Sequence, residues 1–357
     1  MKITRVHSWL EEIELTRPYS IAFASFDHIR MFFVAIELED GTLGSGSGNP
    51  VASITGERLD DSLALLESKL DGLVGEDLRH AVPLLRQLAD TYHAAPAARA
   101  AVDMALHDLM AQKLGLPLAD VLGRAHDRLP TSITLGIRSP EETVDEAREY
   151  VGRGFRILKL KTGVNVDQDL EVLARLHEAV GPEILIRVDA NQAYSASDLR
   201  DFHDRAARFR LELIEQPLPG GDAEAMRDLP TELRRACAAD ESLHSPAHAL
   251  GLASRPRPFG IYNIKLMKCG GIAPARDIAR IAELGEIHLM WGCMDESVIS
   301  ITAALHAALA SPATRYLDLD GSLDLARDPA EGGFVLEDGY LRTSDRPGLG
   351  ILSLDEP

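Results

Sequence analysis

The sequence predicts a parallel βα barrel preceded by antiparallel strands and helices. From about residue 128, strand-like and helix-like segments alternate regularly, and polar residues end successive strands at intervals of 25 to 28 residues. Alternation of this length is typical of barrels in which each helix returns the chain to the next parallel strand. A chain of 357 residues with 45% hydrophobic content can bury a large core in two domains.

The opening of the chain favours an antiparallel pair of strands. Residues 2–9 and 29–38 are strand-like, and Glu39-Asp40-Gly41 supplies turn residues after them. Residues 18–27 and 44–56 are predicted to form loops. Helices are predicted from apolar spacing or alanine content at residues 57–73, 82–92 and 97–114.

Eight candidate strands of the barrel follow. They span residues 132–137, 156–161, 184–189, 212–215, 236–240, 261–265, 287–291 and 315–318. The segment after residue 320 lacks this alternation and is expected to return to the first domain. We therefore expect a first domain over residues 1–125, completed by 321–357, and a barrel over 126–320.

Charge and composition exclude several classes of partner. The formal net charge of −19 argues against nucleic acid and anionic membranes, and it permits a metal ion or a cationic substrate. We expect a cytoplasmic protein, because no apolar run suits a signal peptide or a membrane span and the three cysteines lie far apart. Self-association to a homo-oligomer is left open.

Two lysines occupy an otherwise apolar strand. Side chains alternate along a strand, so Lys159 and Lys161 face the same side. An edge strand with solvated lysines is the alternative for these residues alone. Like-charge repulsion from Lys159 is expected to lower the pKa of Lys161 and to favour its neutral form.

Carboxylates end the strands that follow. Asp189, Glu215 and Asp240 recur at the βα period, and the carboxyl ends of barrel strands meet at one mouth. A single acid there is more often a helix cap, but three facing one another would repel unless a cation lies between them. Three hard oxygen ligands suit Mg²⁺.

The lysines complete a mechanism. Lys161 on the second strand and Lys265 on the sixth are expected to lie on opposite sides of the metal site. A carboxylate bound to Mg²⁺ has an acidified α C–H, because the metal stabilises the enolate. One lysine can then remove the proton from one face while the other returns a proton to the opposite face.

Five motifs in order resemble the enolase superfamily, and within it the muconate-lactonizing subgroup. They are Lys159-Leu160-Lys161, Asp189-Ala190-Asn191, Glu215-Gln216-Pro217, Asp240-Glu241-Ser242 and the run from Asn263 to Gly271. The resemblance implies a modified (β/α)₇β barrel with an α+β capping domain. It also implies Mg²⁺ on Asp189, Glu215 and Asp240, with Lys161 and Lys265 as the acid/base pair.

A finer resemblance points to dipeptide epimerases, which invert the α-carbon of the C-terminal residue. Asp318 and Asp320 resemble the Asp-x-Asp motif of these enzymes, and Thr134 matches a threonine that contacts substrate. Two carboxylates suit the free α-ammonium of a dipeptide, although an Asp pair before glycine is also common in turns. The alternatives are an o-succinylbenzoate synthase or N-acylamino-acid racemase, or a barrel that binds without catalysis.

Two positions bear on the choice of dipeptide. Enzymes acting on Ala-Glu are expected to carry an arginine where this chain has Ala24, which puts that substrate in doubt. Asp295, in the loop after the seventh strand, stands where relatives tend to be apolar. We expect cationic dipeptides, with hydrophobic ones second, although Asp295 could instead cap the following helix.

Overall fold

The chain begins with a three-stranded antiparallel sheet and a group of helices. A computed structural model describes residues 1–21 and 24–356, without side chains at 18–26. The elements are β1 (Ile3–Ile21), β2 (Ala24–Leu38), β3 (Leu43–Gly48), α1 (Ala52–Thr55), α2 (Leu59–Lys69), α3 (Ala81–Thr91), α4 (Pro96–Leu114), α5 (Leu118–Leu122) and β4 (Leu129–Pro130), with 3₁₀ helices at Leu70–Leu73 and Leu78–His80. The three predicted helices are confirmed as α2, α3 and α4.

Both predicted loops of this region are wrong in part. The described residues of 18–27 lie in the paired ends of β1 and β2. Residues 43–48 form β3, whose Gly-Ser alternation is explained by its contact with α4. A Cβ atom on Gly46 would lie 1.8 Å from the carbonyl oxygen of Ala101, so only glycine allows the helix to approach this closely.

The barrel follows as eight strands, β5 to β12, each parallel to its neighbours. Its elements are β5 (Ile133–Leu135), α6 (Pro140–Gly152), β6 (Ile157–Lys161), α7 (Val166–Val180), β7 (Leu185–Asp189), α8 (Ala196–Ala206), a 3₁₀ helix (Ala207–Phe209), β8 (Leu213–Glu215), α9 (Ala223–Arg227), α10 (Thr231–Ala236), β9 (Cys237–Ala239), α11 (Pro246–Leu252), β10 (Ile261–Ile264), α12 (Leu266–Cys269), α13 (Ile272–Leu284), β11 (His288–Gly292), α14 (Val298–Leu309) and β12 (Thr314–Asp318). The expected (β/α)₇β architecture is confirmed, and each predicted strand lies within two residues of an observed one.

A buried arginine helps to close the barrel between its first and last strands. The Ser132 N–H donates to the Leu317 carbonyl at 3.0 Å, which joins the two edges. Arg187, on β7 and only 1% exposed, donates to the same carbonyl at 2.5 Å and to Ser132 Oγ at 3.1 Å. Its Nε lies 2.6 Å from the Glu212 carboxylate, so the buried charge is paired.

The last part of the chain contacts both the barrel and the first sheet. It contains β13 (Ala330–Gly332), β14 (Phe334–Glu337), β15 (Tyr340–Thr343) and β16 (Ile351–Leu354). Three of these strands, β13, β14 and β15, pack on α14, and β15 pairs with β4. Leu15 bridges to Leu325, and the Leu349 N–H donates to the Asp108 carboxylate at 2.8 Å. The tail therefore contacts the first domain, while its completion of that domain and the boundaries at residues 125 and 320 stay a prediction.

A helix must be both long and apolar to cross a membrane. No helix in the described ranges combines the two to the degree needed to cross a bilayer.

Candidate active site

Strand register brings the predicted residues to one mouth of the barrel. Lys161 pairs with Asp189 on the next strand, and Asp189 pairs with Glu215 on the strand after that. Glu215 in turn pairs with Ala238, two residues before Asp240. All three carboxylates are at most 2% exposed. The expected convergence of strand ends is therefore confirmed.

A cavity of about 370 Å³ opens at this mouth. The predicted residues that line it are Thr134, Lys159, Lys161, Asp240, Lys265, Asp295, Asp318 and Asp320. Asp189 and Glu215 lie beneath its surface. The side chain of Ala24 lies outside the described part of the chain. Glu241 and Asp324 also line the cavity, and the sequence analysis did not predict them as site residues. Their positions could have indicated them, because Glu241 follows Asp240 directly and Asp324 lies four residues after Asp320.

Lys159 is the centre of the first ion-pair cluster. Its Nζ lies 2.7 Å from Glu215 Oε2, 2.7 Å from Asp318 Oδ2 and 3.1 Å from Asp189 Oδ2. Although burial acts to lower its pKa, these carboxylates outweigh burial and raise the pKa of Lys159 well above its usual value. The lysine is therefore held as an ammonium group among three acids.

The expected low pKa of Lys161 is wrong for the protein as described. Its Nζ lies 2.7 Å from Asp189 Oδ2. Burial and the neighbouring Lys159 both act to lower the pKa of Lys161, but the carboxylates, led by Asp189, outweigh them and the pKa is raised. The expectation rested on the positive charge of Lys159, whereas in the fold the carboxylate of Asp189 contacts Lys161 directly.

A second cluster surrounds Asp240. Lys265 Nζ lies 2.8 Å from Asp240 Oδ2, and Lys268 contacts Asp240 Oδ1 and donates to the Asp240 carbonyl at 2.6 Å. Burial acts to raise the pKa of Asp240, but the two lysines hold it well below its usual value. Lys268 therefore braces the acid that Lys265 contacts.

The three carboxylates at the strand ends fit a Mg²⁺ site by their donor chemistry. Among residues 1–21 and 24–356, no group of three His, Cys, Asp or Glu side chains is arranged to hold a metal, and lysine ammonium groups contact all three predicted ligands. The donor chemistry nevertheless fits Mg²⁺, since all three are buried oxygen donors. Glu215 Oε2 makes no well-directed hydrogen bond despite its contact with Lys159, and burial and Asp189 raise the pKa of Glu215 to about 7. These two carboxylates already accommodate a cationic group between them.

Further carboxylates surround the cavity. Asp318 Oδ1 accepts from Ser132 Oγ at 2.6 Å, and Asp320 Oδ2 accepts from the Thr134 N–H at 2.7 Å. Burial, with the charges of Asp318 and Asp324, raises the pKa of Asp320 to about 7. Both aspartates line the cavity, and their role toward the substrate stays a prediction.

Asp295 does not cap helix α14. The side chain of Ser297 fills that role by accepting from the Ile299 N–H at 3.2 Å, so the capping alternative is wrong. Burial, with Asp320 and Glu296, raises the pKa of Asp295 to about 7. The carboxylate lines the cavity and forms no ion pair with any described residue.

Known protein families match most of this chain. Residues 4–123 match the N-terminal domain of the mandelate racemase/muconate lactonizing enzyme family, and residues 142–356 match the enolase C-terminal domain-like family. The L-Lys-D/L-Arg epimerase of Methylococcus capsulatus is 56% identical over 99% of this chain and 100% of its own length. An L-Lys-D/L-Arg epimerase of Desulforapulum autotrophicum is 52% identical over 98% and 99%.

A solved structure extends the comparison to a ligand complex. The Methylococcus capsulatus dipeptide epimerase, complexed with Mg and the dipeptide L-Arg-D-Lys, superposes with a TM-score of 0.97 at 56% identity. The match covers 99% of this chain and 100% of that one. By both its domains, this chain belongs to the mandelate racemase/muconate lactonizing enzyme family of the enolase superfamily.

Proposed function

We propose that this protein is a Mg²⁺-dependent dipeptide epimerase that inverts the α-carbon of the C-terminal residue and prefers cationic dipeptides. The observation that carries the proposal is one cavity lined by Lys161, by Lys265 and by an excess of carboxylates. The named activities and the Mg-dipeptide complex of the relatives support the same reaction class.

The chemistry requires a base and an acid on opposite faces of the α-carbon. Lys161 ends the second barrel strand and Lys265 follows the sixth, so the two amines approach a central substrate from different sides. One removes the α-proton and the other delivers a proton to the opposite face. Mg²⁺ bound by Asp189, Glu215 and Asp240 would supply positive charge to stabilise the enolate.

Lys159 has a different role in this proposal. Its three carboxylate contacts keep it an ammonium group, because removing its proton would leave buried acids without a partner. It therefore neutralises the floor of the cavity and holds Asp189 and Glu215 in place. A positively charged group there also attracts the carboxylate of the substrate.

The acids at the mouth support a cationic substrate. Asp295, Asp320 and Asp324 line one cavity, and the pKa of each is raised by burial and by the charge of another acid of this group, so they repel one another when ionised. A substrate ammonium or guanidinium relieves that repulsion, whereas a glutamate side chain would add to it. N-acylated substrates lack the α-ammonium group that Asp318 and Asp320 are proposed to meet.

The test is a dipeptide panel assayed in D₂O with mass-spectrometric detection of α-deuterium. We expect Arg-Lys to exchange and epimerise fastest, Ala-Leu to be slower and Ala-Glu slowest. N-succinyl-arginine and a succinylbenzoate precursor serve as comparators for the alternative activities on this scaffold. Fastest turnover of Ala-Glu contradicts the cationic preference, and fastest turnover of an N-acylated compound contradicts the dipeptide assignment.

A further inference from the structure

A second groove, of about 740 Å³, lies between α3, α4, α13 and α14. It has no lining residue in common with the cavity at the barrel mouth. Its walls combine apolar side chains, such as Leu85 and Pro274, with four arginines. Ligand sites of this size are commonly apolar clefts with a few convergent polar groups.

The arginines of this groove exceed the acids. Arg280 is paired with Glu283 at 2.7 Å. Arg86, Arg99 and Arg276 form no ion pair with a described residue, and Asp277 is the other carboxylate of the lining. Such a positive excess is unusual in a chain of net charge −19, where acidic side chains are abundant.

Arg99 is half-buried in the groove. Its Nε is buried without a hydrogen-bond partner among the described residues. Its Cδ lies 2.8 Å from the position that a Cβ would take on Gly270, so the side chain packs directly against this glycine. A buried guanidinium N–H without an acceptor is unfavourable, and a ligand oxygen would supply the missing acceptor.

We propose that the groove binds a phosphorylated small molecule. A phosphoryl group carries about −1.5 to −2 charges and three acceptor oxygens, and guanidinium forks match it in geometry. The unpaired guanidinium groups of Arg86, Arg99 and Arg276 bind the phosphoryl oxygens. Leu85 and Pro274 contact the organic part of the ligand.

The test measures binding of fructose 1,6-bisphosphate to the full-length, Mg²⁺-loaded protein by calorimetry at constant ionic strength. Fructose and citrate are the comparison ligands. We expect the bisphosphate to bind at one site per chain, at least 10-fold more tightly than citrate, with no binding of fructose. Arg99→Gln and Arg276→Gln should each weaken it at least 10-fold. The matched control is Arg200→Gln, an exposed arginine on α8 outside the groove, which should bind as the parent does.

Three results would overturn the proposal. Equal binding by the Arg99→Gln, Arg276→Gln and Arg200→Gln variants would indicate general charge attraction. Citrate binding as tightly as the bisphosphate would remove the phosphoryl specificity. A sedimentation experiment in which Arg276→Gln separates an oligomer into monomers would assign the groove to a second copy of the chain. None of these results depends on epimerase activity, so the proposed function is tested separately.

Discussion

The substitution Asp295→Asn tests the substrate preference most sharply. It removes one charge and keeps the size of the side chain. Two unit charges 4 Å apart attract by about 4 kcal/mol at an effective dielectric constant of 20. Asp320 and Asp324 line the same cavity and would compensate in part, so we expect a loss near that of one charge-assisted hydrogen bond, about 1.5–3 kcal/mol.

That loss corresponds to a roughly 10- to 150-fold lower kcat/KM for Arg-Lys. Ala-Leu should change less than threefold, and Ala-Glu should improve because a repulsive charge is gone. The assay belongs at pH 8.5, where Asp295 is ionised, because its pKa is raised to about 7. Asp127→Asn, at an exposed site outside the cavity, is the matched control. An equal loss on all three dipeptides would refute the specificity role.

Three further predictions concern the metal, the barrel and the core. Glu215→Gln should weaken Mg²⁺ binding in calorimetry and abolish turnover while the thermal midpoint changes little; unchanged Mg²⁺ affinity would contradict the ligand assignment. Arg187→Met should lower the free energy of unfolding, measured in urea, by about 2–4 kcal/mol, because the Glu212 carboxylate and the Leu317 carbonyl lose their donor. A loss below about 0.5 kcal/mol would contradict the role of Arg187 in closing the barrel. Burial raises the pKa of Asp108 from 3.8 to about 6, so folding favours the protonated carboxyl group. The contribution of this group to the free energy of unfolding is fully present below pH 3.8 and is lost as the pH rises through 6. Asp108→Asn should therefore remove up to about 3 kcal/mol of that pH dependence, and identical pH profiles of the variant and the parent would contradict it.

Alternation and spacing predicted most of the barrel. The strands are short and largely apolar, six of the eight end in or are followed directly by a charged residue, and each is separated from the next by a helix, so boundaries lay within two residues. The register that joins Lys161, Asp189 and Glu215 follows from the same period. Local pattern was sufficient here because a parallel barrel repeats one local unit.

The misses have physical causes. Strand β3 was read as a loop because Gly44, Gly46 and Gly48 usually weaken strands, whereas here α4 packs so closely that a side chain would not fit. The ends of β1 and β2 were read as a loop because residues 18–27 lack alternation. The contact of β3 with α4 joins segments about 55 residues apart, which a single sequence does not display, whereas the ends of β1 and β2 pair with each other across a short connection.

The charges of the site were harder to predict than its composition. The sequence placed Lys159 beside Lys161, and repulsion between them was a sound expectation. Asp318, about 160 residues later in the chain, lies 2.7 Å from Lys159 Nζ, and Asp189 lies at the same distance from Lys161. The sign of a pKa shift depends on such distances, which become known only with the fold.

The most direct test of the central claim is α-proton exchange in D₂O by Lys161→Ala and Lys265→Ala, with L-Arg-L-Lys and L-Arg-D-Lys as separate substrates. If the lysines serve opposite faces, each variant should lose epimerisation yet exchange the α-proton of only one epimer, and the two variants should prefer opposite epimers. Exchange of both epimers at comparable rates by either variant would contradict the two-base account.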